Sequence, residues 1–283
     1  MQITIDNLSY TYTDPSGQTV HALQSVSCSI DPGDFTGIIG RTGCGKTTLI
    51  LLIAGLLTPT KGHIFLDGRD INDKSYDRNL LRQSIGVVFQ YPEVQLFETT
   101  VEKDVAFGLT YSRLGSKEKE DRIEWALETM GFDFEKIRKQ SPLALSGGEK
   151  RRVAIAGVLA VKPKILIFDE PIAGLDPYGR QNFMELVSRL NDDGTTIIMI
   201  SHNMDALAEY TKRLIVLDEG KVIQSGKTRD IFLGWGRDTR GTEPQQIASL
   251  ISKGKNTLLD DVVTYDDLIF ALKKQLLGVE QHE

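Results

Sequence analysis

The glycine-rich sequence GRTGCGKT at residues 40–47 constrains the fold of this chain more than any other feature. It fits the pattern G-x-x-x-x-G-K-[ST], the Walker A motif. The apolar residues 35–39 before it are typical of a buried strand, and the apolar run after it predicts a buried helix that ends near Gly55. A strand, a glycine loop and a helix in this order build a phosphate-binding unit. We therefore expect an α/β fold that binds a nucleotide.

The residue types in this loop suit the phosphates of a nucleotide. Gly40, Gly43 and Gly45 let backbone N–H groups approach phosphate oxygens, and the helix N-terminus adds partial positive charge. Lys46 brings a full charge to the β- and γ-phosphates, and the Thr47 hydroxyl is a hard oxygen ligand for Mg²⁺. The motif therefore predicts a site for a nucleotide with its magnesium ion.

A second buried strand, residues 165–168, runs into two carboxylates, Asp169 and Glu170. This is the Walker B pattern, and it places acidic groups at the strand edge where ligands bind in open parallel sheets. Asp169 can hold the magnesium shell through water, and Glu170 can polarise an attacking water. We predict a metal-binding role for Asp169 and a catalytic role for Glu170.

Two further apolar strands end in a polar residue. Residues 85–89 lead to Gln90, and residues 196–201 lead to His202. A lone histidine is usually structural, but the position of His202 at the same edge as the carboxylates favours a functional role. For Gln90, this stretch alone fits a loop cap equally well.

The N-terminal region and the middle of the chain differ in pattern. Residues 2–32 read as an antiparallel β layer, in which Tyr12 can stack on a flat base or lie half-buried on the sheet, and the downstream glycine loop favours stacking. Residues 91–162 are predicted to form a helical block. Within it, Ser146 and Glu149 fit a capping box at a helix start.

The composition changes after Gly226. Residues 235–241 are rich in glycine, arginine and aspartate, and residues 264–277 predict a capped amphipathic helix. We expect a nucleotide-binding domain at residues 1–225 and a small module at residues 226–283.

Charge and hydrophobicity limit the partners of this 283-residue chain. Its formal net charge of −6 argues against a protein that coats nucleic acid. The start lacks the basic and apolar regions of a signal peptide, and the longest apolar run, residues 49–57, is shorter than the about 20 residues of a membrane-spanning helix. We expect a cytoplasmic protein whose contact with a membrane is peripheral, with Cys28 and Cys44 as free thiols.

From Tyr12 to His202, the motifs resemble the ATP-binding-cassette (ABC) ATPase family in order and spacing. The resemblance implies an ABC nucleotide-binding domain with a mostly parallel core sheet, an N-terminal antiparallel β layer and a helical subdomain at about residues 91–162. The resemblance implies that Tyr12 stacks on adenine and that Gln90 contacts Mg²⁺ and the attacking water. It implies ATP binding by Gly40, Arg41, Thr42, Gly43, Cys44, Gly45, Lys46, Thr47 and Thr48. The signature, which faces a partner's ATP, would be Ser146, Gly147, Gly148 and Glu149, while Asp176 belongs to the D-loop and His202 is the switch histidine.

Two positions depart from the common family pattern. Glu149 stands where glutamine is commoner, and Ile172 replaces a frequent threonine. Neither change removes a group that the chemistry needs, so a competent site is expected.

Residues 89–97, 104–108 and 151–160 resemble the ATPases of energy-coupling factor (ECF) transporters and the related cobalt importers. Their sequences are similar to the second of the two ATPase paralogues of that family. The resemblance implies an ATPase that pairs with its paralogue in a heterodimer, or with itself in a homodimer, on a transmembrane coupling subunit. It would drive uptake of vitamins or other micronutrients through substrate-binding membrane subunits. Residues 226–283 are similar in place to that family's extra dimerisation region.

Two alternatives stay open. One is a cobalt or nickel importer ATPase of the same family, and the other is a soluble ABC ATPase that acts on DNA or ribosomes. The DNA-repair type carries a long coiled coil between the Walker A motif and the signature, whereas this interval lacks heptads, and the ribosomal type usually carries two cassettes. We therefore expect no nucleic-acid partner.

The segment after Gln90 combines apolar residues with acidic ones. Tyr91, Leu96 and Phe97 stand near four carboxylates, those of Glu93, Glu98, Glu102 and Asp104. We expect this segment to grip a partner helix that carries arginines. The alternative is a solvated helix face with the aromatic residues in the core.

Overall fold

The computed structural model describes residues 1–235, 241–252, 259 and 261–277. Residues 236–240 of the predicted segment 235–241, and residues 253–258, 260 and 278–283 of the C-terminal module, lie outside the described residues. The strands are β1 (Ile3–Thr13), β2 (Thr19–Ile30), β3 (Phe35–Gly40), β4 (Lys61–Leu66), β5 (Arg69–Asp70), β6 (Ile85–Val88), β7 (Ile165–Asp169), β8 (Thr196–Ile200), β9 (Arg213–Asp218) and β10 (Lys221–Lys227). The α-helices are α1 (Lys46–Ile53), α2 (Arg78–Ser84), α3 (Val101–Ala106), α4 (Ser116–Thr129), α5 (Phe134–Ile137), α6 (Gly147–Ala160), α7 (Pro177–Asp192), α8 (Met204–Tyr210), α9 (Thr228–Trp235), α10 (Glu243–Ser252) and α11 (Tyr265–Leu277).

The N-terminal strands form an antiparallel sheet in the order β2-β1-β4-β5. Strands β1 and β2 pair from Ile3 opposite Ile30 to Thr13 opposite Thr19, with bulges on the way. This pairing confirms the predicted antiparallel layer. It also sets Tyr12 opposite Val20, next to the turn of the hairpin.

The central sheet has the order β10-β9-β3-β8-β7-β6. Strands β3, β6, β7, β8 and β9 pair in parallel, and β10 pairs antiparallel to β9. Because the carboxyl ends of parallel strands meet at one edge, the glycine loop after β3 and the polar residues after β6, β7 and β8 emerge on the same side. The predicted α/β fold with a mostly parallel core sheet is confirmed.

The central strands are buried on both faces because they separate two hydrophobic cores. Successive side chains of a strand point to opposite faces. Along β8, Ile197 and Met199 therefore pack with the helices of one core, while Ile198 and Ile200 pack with α1 and the N-terminal sheet in the other. This explains why these strands read as unbroken apolar runs.

Helices α3 to α6 form the predicted helical block. Their apolar residues, among them Val105, Ile123 and Val153, join the first core. Arg138 ties the outer side together through carboxylates on three helices: Glu102 of α3, Glu120 of α4 and Glu135 of α5.

The C-terminal helices have a small core of their own, made by Ala248, Leu259, Val262, Leu268 and Ala271. The first of them, α9, is different, since Ile231 and Phe232 are buried in the core of the central sheet. Among the helices of the described residues, none combines the length and the hydrophobicity of a membrane-spanning segment.

Candidate functional site

The strand ends surround a cleft of about 760 Å³. The predicted residues that line it are Tyr12, Thr42, Gly43, Gly45, Lys46, Thr47, Thr48, Gln90, Asp169, Glu170 and His202. Gly40 and Arg41 line a neighbouring cavity that shares Thr42 and His202 with this cleft. The Cys44 side chain is buried among apolar residues, so only its backbone belongs to the loop surface.

The glycine loop requires glycine at its close approaches. Gly45 has a φ of 107°, and a Cβ there would collide with the carbonyl oxygen of Ala22 and lie 2.7 Å from Leu23 Cδ2. Gly45 also starts α1 without a side-chain cap. The first N–H groups of the helix are therefore available to an anion.

Lys46 is buried and its ammonium group lies inside the loop. Its Nζ donates hydrogen bonds to the carbonyl oxygens of Gly40, at 2.7 Å, and Arg41, at 3.0 Å. Burial of a charged group is costly unless it is paired or hydrogen-bonded. These contacts hold the charge at the centre of the loop, where phosphates would meet it.

Thr47 and Asp169 meet across the cleft. The Thr47 hydroxyl donates to Asp169 Oδ2 at 3.2 Å. Burial raises the pKa of Asp169, and the Thr47 hydrogen bond and the charge of Lys46 oppose that rise. Mg²⁺ prefers hard oxygen donors such as these. A bound cation would stabilise the charged form of the buried Asp169 carboxylate, so the donor set fits Mg²⁺.

Glu170 adopts a backbone conformation that is rare for its residue type, with a φ of 51°. The backbone N–H of His202 donates to Glu170 Oε2 at 3.3 Å, and Oε1 lies 3.5 Å from His202 Nε2. Within the described part of the chain, Oε1 is buried without a hydrogen-bond partner. Burial raises the pKa of Glu170. A buried carboxylate oxygen without a partner is suited to accept a proton from a water molecule.

The predicted base-stacking position is lined by more residues than Tyr12 alone. Tyr12 is 41% exposed, and its hydroxyl lies 3.3 Å from the hydroxyl of Thr48. Val20, His21 and Ala22 line the cleft beside it. These residues could be found only from the register of the β1–β2 pairing, which becomes known once the hairpin is folded.

The signature residues lie apart from the nucleotide cleft of their own chain. Ser146 and Glu149 form the predicted capping box at the start of α6, and the Glu149 backbone N–H donates to Ser146 Oγ at 3.4 Å. The Ser146 hydroxyl donates to Glu149 and lowers the pKa of that carboxyl. A Cβ at Gly147 or Gly148 would meet nothing within 4 Å, so this helix start is open.

Asp176 caps helix α7, where its side chain accepts from the Gly179 N–H. It lines a cavity of about 590 Å³ together with Gly148. The predicted D-loop and the predicted signature are therefore neighbours in one chain, away from the glycine loop.

Two of the acidic residues expected to grip a partner serve the chain itself. Asp104 Oδ2 accepts from the backbone N–H groups of Phe97, at 3.0 Å, and Glu98, at 2.8 Å. Glu102 forms a two-pronged ion pair with Arg138. The expectation that these two carboxylates await a partner's arginines is wrong, because nearer donors within the helical block satisfy them.

The apolar part of that segment is exposed. Tyr91 is 55%, Val94 78% and Phe97 63% exposed, and Phe97 packs edge-on against the exposed Phe107 at 4.9 Å between ring centres. We call these four residues the aromatic patch. An apolar patch of this kind often marks a protein interface.

Comparison with known proteins identifies the family. The ABC transporter family matches residues 23–173. The energy-coupling factor transporter ATP-binding protein EcfA2 of Caldanaerobacter subterraneus subsp. tengcongensis is 41% identical over 285 residues, which cover 99% of each chain. EcfA2 of Clostridium perfringens is 44% identical over 233 residues, 82% of each chain. This chain belongs to the ECF transporter ATP-binding proteins.

Solved structures agree with this assignment to the ECF ATPases. CbiO1 of Clostridium perfringens, part of the ABC transporter complex cbiONQ, is 36% identical with a TM-score of 0.72, covering 89% of this chain and 94% of that one. The ATP-binding cassette MJ0796, as a post-hydrolysis dimer bound to ADP and Pi, is 30% identical with a TM-score of 0.71, covering 80% and 99%. The predicted ABC fold is confirmed. The ECF ATPase is the ATP-hydrolysing subunit of an ECF-type importer, and its relatives do not favour the metal-importer, DNA or ribosome alternatives.

Proposed function

We propose that this ECF ATPase holds MgATP in the cleft and hydrolyses it with Glu170 as general base. The observation that carries the proposal is the convergence of Lys46, Thr47, Asp169, Glu170 and His202 on one cleft. Thr47 and Asp169 would hold Mg²⁺, with Gln90 reaching the metal and the water. The bound ion would neutralise charge on the β- and γ-phosphates.

In this proposal the Glu170 carboxylate is positioned to accept a proton. Glu170 Oε1 accepts the proton of the attacking water, and His202, 3.5 Å away, orients the carboxylate and faces the γ-phosphate region. Lys46 leaves its loop carbonyls to meet phosphate oxygens, which are stronger acceptors because they are charged. Tyr12 stacks on the adenine.

We further propose that the complete site needs two chains. The signature helix starts with an open N-terminus that faces no phosphate of its own chain. A helix N-terminus of this kind suits an anion. Ser146, Gly147 and Gly148 would cap the γ-phosphate held by a partner, either a paralogous ATPase in a heterodimer or a second copy, with Asp176 at the shared interface.

The aromatic patch supplies the docking surface in this proposal. The subunit would sit peripherally on the cytoplasmic face of the membrane and receive a helix of the transmembrane coupling subunit there. Residues 1–225 would form the ATPase domain, and residues 226–283 a dimerisation extension that exposes Leu250, Ile269 and Phe270. ATP-driven movement of the helical block would drive uptake of vitamins or other micronutrients through substrate-binding membrane subunits.

The substitution Glu170→Gln tests the catalytic assignment. It keeps the shape of the side chain but removes the base, so ATP hydrolysis at this subunit's site should fall by about 10²-fold or more while ATP binding persists. Glu128→Gln, on the exposed outer side of α4, is the matched control and should hydrolyse normally. A Glu170→Gln subunit that hydrolyses ATP at the normal rate would overturn the proposal.

A further inference from the structure

Arg151 of the signature helix reaches out of the helical block to the loop that follows Glu170. Its Nη1 donates to the carbonyl oxygen of Ala173 at 3.0 Å, and its Nη2 donates to the carbonyl oxygen of Pro171. Arginine presents its N–H donors in a fixed fork, so two such bonds set the position of a peptide segment in two dimensions. One side chain therefore connects α6 to the segment that carries the proposed base.

The loop that Arg151 holds begins at a residue with an unfavourable backbone conformation. Glu170 sits in the left-handed region at a φ of 51°, a conformation that persists only where the surroundings enforce it. On one side, the Glu170 N–H donates to Ile200 of β8 at 3.0 Å. On the other side, the Arg151 fork holds the two carbonyl groups. Loss of the fork would free the loop to relax and turn the Glu170 carboxylate away from its place.

A third segment carries a carboxylate that attracts the same guanidinium group. Glu93, three residues after Gln90, is half-buried, and its Oε2 has no hydrogen-bond partner among the described residues. Burial lowers the pKa of Arg151, and the attraction of Glu93 opposes that change.

We propose that Arg151 is a positioning residue for Glu170. The position of helix α6 then determines the orientation of the Glu170 carboxylate, so that the rate of ATP hydrolysis depends on the position of the helical block. This inference rests on the proposed catalytic role of Glu170.

The test uses the full chain in the assembled transporter and measures kcat, KM for ATP and unfolding midpoint. Arg151→Met keeps the length of the side chain but removes both hydrogen bonds. We expect kcat to fall about 10-fold or more with KM within about twofold, because the loss concerns a step after binding. Arg151→Lys, which keeps a charged donor, should restore part of kcat.

The matched control is Arg122→Met. Arg122 also donates from the helical block to a backbone carbonyl, that of Val161, at 2.8 Å, but it lies away from the Glu170 loop. It should lower the unfolding midpoint and leave kcat unchanged. A role of Arg151 in stability alone would give Arg151→Met this same profile.

An unchanged kcat in Arg151→Met, or equal losses of kcat and ATP affinity, would overturn the proposal. If Glu170→Gln is inactive but Arg151→Met is normal, the positioning role fails while the catalytic assignment stands.

Discussion

Phe232 gives the sharpest prediction about how the C-terminal extension joins the ECF ATPase. It lies on α9, beyond the proposed domain boundary, yet it is fully buried in the core of the central sheet. Replacing Phe232 with alanine would leave a cavity in that core. If the packing is as the structure shows, the ATPase domain itself should lose stability.

The size of the effect follows from the volume removed. Phenylalanine-to-alanine changes in a core cost about 3–5 kcal/mol, out of a total stability of about 5–15 kcal/mol for a typical domain. With a melting-temperature change of about 2–4 °C for each kcal/mol in domains of this size, we expect a decrease of roughly 6–20 °C. Truncation after Gly226 removes Ile231 as well, so it should destabilise the ATPase domain and not only weaken assembly.

Urea unfolding followed by tryptophan fluorescence measures this prediction. Trp235 packs edge-on against Phe232 at 5.4 Å between ring centres, so a Trp125→Phe background leaves one tryptophan beside the altered site. Phe270→Ala is the matched control, because that ring is 66% exposed and should change stability by less than about 0.5 kcal/mol. Equal unfolding midpoints for Phe232→Ala and Phe270→Ala would refute the shared core.

Two further predictions concern docking and pH. Val94→Asp places a charge in the aromatic patch and should weaken binding to the membrane subunit by about 2 kcal/mol or more, roughly 30-fold, whereas Leu56→Asp at a 60% exposed site elsewhere should bind normally in a pull-down titration. Equal binding of both variants would place the docking surface elsewhere. The Asp205 Oδ1 accepts a hydrogen bond from the Glu243 N–H at 2.8 Å, and burial raises the pKa of Asp205. Because the folded-state pKa is raised, Asp205 stabilises the fold at low pH, and this contribution is lost as the pH rises through the folded-state pKa. Asp205→Asn keeps the acceptor without the titration and should lose less stability than wild type from about pH 4 to pH 7, above the ordinary aspartate value of about 3.9; parallel urea midpoints across this range would contradict it.

The sequence alone determined the fold class and the main groups of the site. The glycine loop, the carboxylates after β7 and the histidine after β8 are local patterns, in which a few neighbouring residues carry the whole signal. The parallel sheet then brings them together, because strands of one direction end at one edge. No knowledge of distant contacts was needed for these predictions.

Only the tertiary structure decided which polar groups are already satisfied and which residues share a core. Glu102 and Asp104 looked available in the sequence, but Arg138 and the backbone near Phe97 occupy them. The contacts of Arg151 with Pro171, and of Phe232 with the central core, join segments that no periodic pattern connects. A side chain's partner in space is set by the packing of whole elements, and the residues along the chain do not encode it locally.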